Sequence, residues 1–269
     1  MKSFLLLQLS LILSLVGAQA QRLSLSTQSD SSLYYYYQGW RNVLDEGDYT
    51  ASERSFRKMV KFDPDFGVGM ILLGRISTNR EEREQIETRV EMLKSNIHGD
   101  ERLLLDVFQG LLVLTNLRDK DPAAAKVQRE KAFAVGEANL RVIAHRYPAD
   151  VHTLSEYIEV LHYRHGAKVA LDSINKLCTK SQLSNPFILG FTAQLEGEQG
   201  MYEKALQKAA ALRVHFSGQP VPKPHVVFAD IYVKMGKKAE AQDAVEKALA
   251  LDPGNLDAQR LKVKIEKML

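Results

Sequence analysis

Twice in this chain a glycine and a later proline stand seventeen residues apart around the same layout, at Gly47 and Pro64 and again at Gly236 and Pro253. Residues 224–253 show what the layout encodes. Val227, Phe228, Ile231 and Tyr232 recur at spacings of three and four, which lines one face of a helix with apolar side chains. Met235-Gly236 breaks the pattern, because glycine takes the positive φ that ends a helix at little cost. A second stripe follows in Ala241, Val245, Ala248, Leu249 and Leu251, and Asp252-Pro253 stops it, since proline cannot continue the hydrogen-bond ladder. Small residues (Ala229, Ala241, Ala248) stand where two helices would cross closely. A helix pair this short cannot bury its own apolar faces and needs copies of itself as neighbours, so the fixed spacing predicts a stack of helix pairs.

The rest of the chain fits that expectation. A helix start at Ser31-Ser32 leads into a first pair broken at Gly47 and closed by Asp63-Pro64. Residues 66–77 restore a Leu73-Gly74 pair, and a charge-rich partner follows with Ile86, Val90 and Leu93 at helical spacing. Residues 100–117 and 122–147 predict a longer pair, residues 151–163 and 167–180 another broken at Gly166, and residues 185–216 a fifth with its turn at Gly200-Met201-Tyr202. Residues 255–269 read as a final capping helix, basic toward its C-terminus, where the helix dipole favours cations. The sum is six pairs and a cap, with residues 31–269 forming one continuous domain.

At this point the unit resembles the tetratricopeptide repeat, a helix–turn–helix of about 34 residues with recurring small and large positions. Residues 222–255 carry it best, with Ala229, Tyr232, Ala241, Ala248 and Pro253 at the family's small, aromatic and closing positions. Residues 33–66 match less well, since Trp40 stands where glycine or alanine is common and Ser52 and Met59 replace alanines. The resemblance implies an all-α, right-handed α-solenoid whose partner, another protein or peptide, lies in the concave groove lined by the first helix of each pair. Carried over position by position, that groove takes Tyr34, Tyr37, Arg41, Leu44 and Asp45 from the first unit, and Val68, Ile71, Arg75 and Asn79 from the second. The last unit supplies Lys223, Val226, Asp230 and Lys234. Aromatic and arginine side chains anchor interfaces well, although the run from Tyr34 to Tyr37 equally suits packing of the N-terminal end. One subclass of the family clamps acidic chaperone tails with Lys and Asn; Tyr37 and Arg41 occupy those positions here, which argues against that partner.

Composition narrows the address and excludes some partners. The net charge of +3 over 269 residues is small and both signs are dispersed, unlike the basic stripe of a nucleic-acid surface. Residues 1–20 read as a cleavable leader. Lys2 precedes an apolar run over residues 4–16, too short for the ~20 residues that span a bilayer, and Ala18-Gln19-Ala20 gives the small-x-small cleavage pattern before Gln21. With no cysteine at position 21 there is no lipid attachment, so the processed chain is expected to be periplasmic or secreted and not membrane-spanning, with residues 21–30 a loose Ser-rich lead-in. The single cysteine, Cys178, permits no intrachain disulfide and reads as a small packing residue.

No catalytic motif, P-loop or HExxH helix is present, and Gly67-x-Gly69 opens a helix without the preceding strand of a dinucleotide fingerprint. No cofactor is expected. Glu159, His162 and His165 share three-residue spacing on one helix, the arrangement from which a transition-metal site could be built, against the plainer reading of a solvated polar face. The charged run around Arg80 and Arg83 reads as a solvated helix face. The function expected is a non-enzymatic binding scaffold of the bacterial envelope, with a metal-dependent factor and a self-associating structural protein as rivals.

Overall fold

The computed structural model describes residues 23–118 and 120–268, so the leader expected over residues 1–20 and its cleavage site lie outside the described residues. Within them the chain is all-α, with twelve helices and no strand. The first pair is α1 (Asp30–Trp40) and α2 (Tyr49–Phe62), and the second is α3 (Gly67–Ile76) and α4 (Arg80–Leu93). The longest elements follow: α5 (Gly99–Arg118), α6 (Pro122–Arg146) and α7 (Val151–Leu177). The remaining pairs are α8 (Pro186–Glu198) with α9 (Tyr202–His215), and α10 (Lys223–Lys234) with α11 (Lys238–Leu251), before the cap α12 (Leu256–Glu266). Gly166, at φ 82°, splits α7 into two helical arms, so the six pairs and a cap expected from the periodicity are present.

Local chemistry sets the ends. The side chains of Ser29, Asp48, Asn79, Asp121, Asp150, Asn185 and Asn255 each accept a hydrogen bond from a backbone N–H in the first turn of the helix they precede. These satisfy donors that a helix N-terminus leaves open. Gly47 and Gly236 both take positive φ, at 68° and 73°, as their position between paired helices requires. Successive helices pack on one another, and α3 also packs on α5, α8 on α10, and α10 on α12, which gives the stacked course of a solenoid.

The hub of the packing is α3, buried along its whole length except at Arg75. A helix apolar on every side belongs inside, and Gly67, Gly69 and Gly74 let it approach its neighbours. A Cβ added at Gly67 would meet Ile97 at 2.5 Å, and one at Gly69 would meet Phe66 at 2.5 Å. The Gly67-x-Gly69 pair is therefore a close-packing device.

Three features depart from the sequence expectations. Residues 23–29, expected to be a loose lead-in, are tied down: Leu23 is buried, Ser26 Oγ donates to Glu101 at 2.9 Å, and Thr27 Oγ1 donates to Asp63 at 2.5 Å. Arg83 is buried, not solvated, with Nε donating to Asn116 at 3.0 Å and a guanidinium nitrogen to the Ser77 carbonyl at 3.2 Å. The third is the register of α1. Residues Arg41–Glu46 form a π-helical turn, which fits one extra residue between helix and break. The close-contact position of the first unit is thus Gly39, where an added Cβ would lie 2.2 Å from Phe56, and not Trp40 as an ungapped reading has it. Ser52, in place of alanine, donates to the Gly39 carbonyl at 2.9 Å.

Candidate functional site

The helical array closes on itself. The turn between α1 and α2 meets the turn between α11 and α12 through a set of hydrogen bonds. Asn255 Nδ2 donates to the Gly47 carbonyl at 2.6 Å, the Tyr49 N–H donates to Asp252 at 2.8 Å, and Thr50 Oγ1 donates to Asp252 at 2.6 Å. The Tyr49 hydroxyl donates to Asp257 at 2.8 Å. Asp45 adds a strut to the fifth pair, accepting from Asn185 Nδ2 at 2.9 Å at the N-terminus of α8. Asp252 is buried and also accepts from the Gly254 N–H, so the aspartate of the closing Asp-Pro doublet serves both as a turn former and as a clasp.

Beside this closure lies a half-open cavity of about 280 Å³. Its walls come from elements far apart in the chain: Trp40 of α1, Tyr49 and Phe56 of α2, Arg75 of α3, Glu156 and Glu159 of α7, Phe187 of α8, Lys223 of α10, and Asp257 and Arg260 of α12. Six of these side chains are charged, three of each sign. Arg75 makes a two-pronged ion pair with Glu156, both N–O distances 3.2 Å, while its guanidinium lies 4.6 Å from the Phe108 ring centroid. Arg260 pairs with Asp257 at 3.2 Å on the exposed rim.

Glu159 and Lys223 are different. Among the described residues neither makes a hydrogen bond or an ion pair within contact distance; Lys223 Nζ lies 4.8 Å from the Phe187 ring centroid. Removal from water, reinforced by the Glu156 carboxylate, raises the Glu159 carboxyl to about 8, against an opposing pull from Lys223. The same burial lowers the Lys223 ammonium, partly offset by Asp257, Glu159 and Asp45. An acid raised by burial and an amine lowered by it thus face one small cavity.

The thirteen groove residues expected from the sequence fall into several environments. Arg75 and Lys223 line the cavity, as does the buried Leu44. Val68, Ile71 and Val226 are buried in the core, and Tyr37 packs near Tyr36 and His152. Asp45 caps toward α8, and Asp230 pairs with Lys234, which also donates to the Gln194 carbonyl at 2.8 Å. Tyr34 is exposed, Arg41 pairs with Glu46 at 3.0 Å on the surface, and Asn79 caps α4.

The metal candidates do not converge. Glu159 faces the cavity, His162 Nε2 contacts Glu198 at 2.9 Å, and His165 Nε2 contacts Glu137 at 3.0 Å, carboxylates of two different helices. Among the described residues no group of three His, Cys, Asp or Glu side chains is arranged to hold a metal ion. Trp40, Tyr49, Glu156, Phe187, Asp257 and Arg260 were not singled out by sequence. The signal available for one of them, Glu156, is its i, i+3 spacing to the carboxylate of Glu159. Among the described residues no helix is long and apolar enough to cross a membrane.

Residues 223–255 match the tetratricopeptide repeat family, within one position of the unit read at 222–255. No curated protein matches the sequence. Among solved structures the chain is similar to one in the crystal structure of the APC/C hetero-tetramer Cut9–Hcn1, at 13% identity and a TM-score of 0.46, covering 88% of this chain and 46% of that one. It therefore spans less than half the length of that structure's chain. Among the described residues the chain is an all-α array of stacked helix pairs, of which residues 223–255 match the tetratricopeptide repeat model.

Proposed function

We propose that this protein is a non-enzymatic protein- or peptide-binding scaffold of the bacterial cell envelope. The observation that carries the reading is the tetratricopeptide repeat at residues 223–255 within a continuous array of helix pairs. Such repeats generally mediate protein–protein interaction and scaffolding. The leader-like residues 1–20 support export, and a preformed helical surface binds with little ordering cost. Within that reading, recognition falls to exposed side chains, of which Tyr34 and Arg41 belong to the first unit's groove set.

The test is affinity capture from envelope extract with the full chain and with a Tyr34→Ala, Arg41→Ala double variant, whose helicity is checked by circular dichroism. A partner held by the wild type and lost by the folded variant supports the reading. Equal capture by both moves the interface off α1, and the absence of any saturable partner removes the scaffold reading.

A further inference from the structure

We infer that this half-open cavity is a binding site for a small zwitterion of amino-acid size, its ammonium held at Glu159 and its carboxylate at Lys223. This is independent of the scaffold reading, which concerns the outer surface.

The argument begins with what the other wall charges are doing. Arg75 is satisfied by Glu156, and Asp257 by the Tyr49 hydroxyl and Arg260. That leaves one acid and one amine with no hydrogen-bond partner among the described residues, facing the same space without touching each other. Both are half-buried, and an acid and an amine side by side on one cavity wall are complementary to a ligand carrying both signs in the reverse order. The wall has three acidic and three basic side chains, so neither a simple cation nor a simple anion is preferred. Size limits the choice further. At about 280 Å³ the cavity stands near the lower end of the ~300–1,000 Å³ of small-molecule pockets, which suits a ligand of amino-acid size. Val43 and Leu256, both half-buried, give the wall apolar surface on which the carbon skeleton of such a ligand would rest. The exposed rim at Asp257 and Arg260 gives it a way in.

Binding has a proton signature. An ammonium arriving beside Glu159 favours its carboxylate, so the proton it holds near neutral pH is released on binding.

The experiment is calorimetric titration of the full chain with each of the twenty free amino acids, with propylamine and propionate as single-charge controls. The expected result is one-to-one binding of at least one amino acid and none of either control, with proton release visible as a dependence of the heat on buffer ionisation enthalpy. Glu159→Gln and Lys223→Met, each with unchanged circular dichroism, should weaken binding at least about tenfold. Binding of no amino acid, binding of a control as tightly as an amino acid, or undiminished binding by both folded variants would overturn the inference. Should a variant fail to fold, the comparison of amino acids with controls on the wild type decides.

Discussion

The Asn255 side chain joins the Gly47 carbonyl across 208 residues of chain, its Nδ2 donating at 2.6 Å while its Oδ1 accepts from the Ala258 N–H at 2.7 Å. One amide thus starts the last helix and holds the first inter-helix turn. The side-chain amide supplies the donor and the acceptor on separate atoms, whereas an ionised aspartate in the same place would have only acceptors.

That division of labour makes the clasp separable from the cap. Asn255→Asp keeps an oxygen for Ala258 but sets a carboxylate against the Gly47 carbonyl, close to Asp252 and Asp257. The expected cost is about 1–3 kcal/mol in urea denaturation, even though aspartate is as good an N-cap as asparagine. Asn79→Asp, at a cap with no second role in the clasp, should change stability by less than about 0.5 kcal/mol. Equal effects at the two sites would mean that the end-to-end bond contributes nothing.

Glu159 predicts a pH dependence with a definite sign. Its carboxyl is raised from 4.5 to about 8, so the folded chain keeps a proton that the unfolded chain has lost in that interval. The associated stability is present below the unfolded value and is lost as pH rises through about 8, at no more than about 1.4 kcal/mol per unit. Glu156 and Asp257 push Glu159 in this direction, while Lys223 and Arg75 oppose it. Lys223, itself lowered, has the opposite sign, its share growing as pH rises. Glu159→Gln should therefore flatten the fall of Tm between about pH 5 and pH 8. A slope identical to wild type would show that this carboxyl titrates normally.

The same substitution at two helical glycines should act in opposite directions. At Gly39 a new Cβ meets the Phe56 ring at 2.2 Å, in a site already tied by the Ser52 hydroxyl, so Gly39→Ala should destabilise by about 1–3 kcal/mol. At Gly110 in α5 the nearest atom is Ala132 Cβ at 3.4 Å, an ordinary contact, and Gly110→Ala should stabilise by about 0.5–1 kcal/mol through helix propensity. Thermal melts of the two variants give the signs directly.

Cys178 should be slow toward thiol reagents. It is half-buried, and removal from water pushes its thiol from 9.0 up to about 11, which suppresses the reactive thiolate on the order of 100-fold at neutral pH. Labelling by Ellman's reagent should be slow in buffer and fast in denaturant, and fast labelling of the folded chain would contradict the burial.

Local punctuation made the helices readable. Gly47, Gly166 and Gly236, all with positive φ, and the prolines after Asp63 and Asp252 marked the breaks because those conformations are encoded within a few residues. The π-helical turn at Arg41–Glu46 was not readable, since nothing in its six side chains distinguishes an i+5 ladder from an i+4 one, and so Trp40 was placed one position out of register. Trp40 instead stacks on His152 at 5.9 Å and tilts against Phe108 at 5.7 Å. The cavity was hidden for a different reason. Whether Asp45 reaches Asn185, or Gly47 reaches Asn255, depends on the curvature accumulated over the intervening pairs, and periodicity carries no record of that sum. Glu159 attracted notice for its spacing to two histidines, yet the groups that act on it are Glu156 on its own helix and Lys223, Asp257 and Arg75 from α10, α12 and α3.

Closure also turns the number of units into a discrete constraint. An open array of helix pairs tolerates gain or loss of a unit, because each contacts only its neighbours and stabilities roughly add. Here the meeting of Gly47 with Asn255 requires the rotation from pair to pair to come round after six pairs and a cap. A seventh pair would carry the two turns past each other, and a fifth-pair deletion would leave them apart, so this fold can change its surface residues freely but not its count.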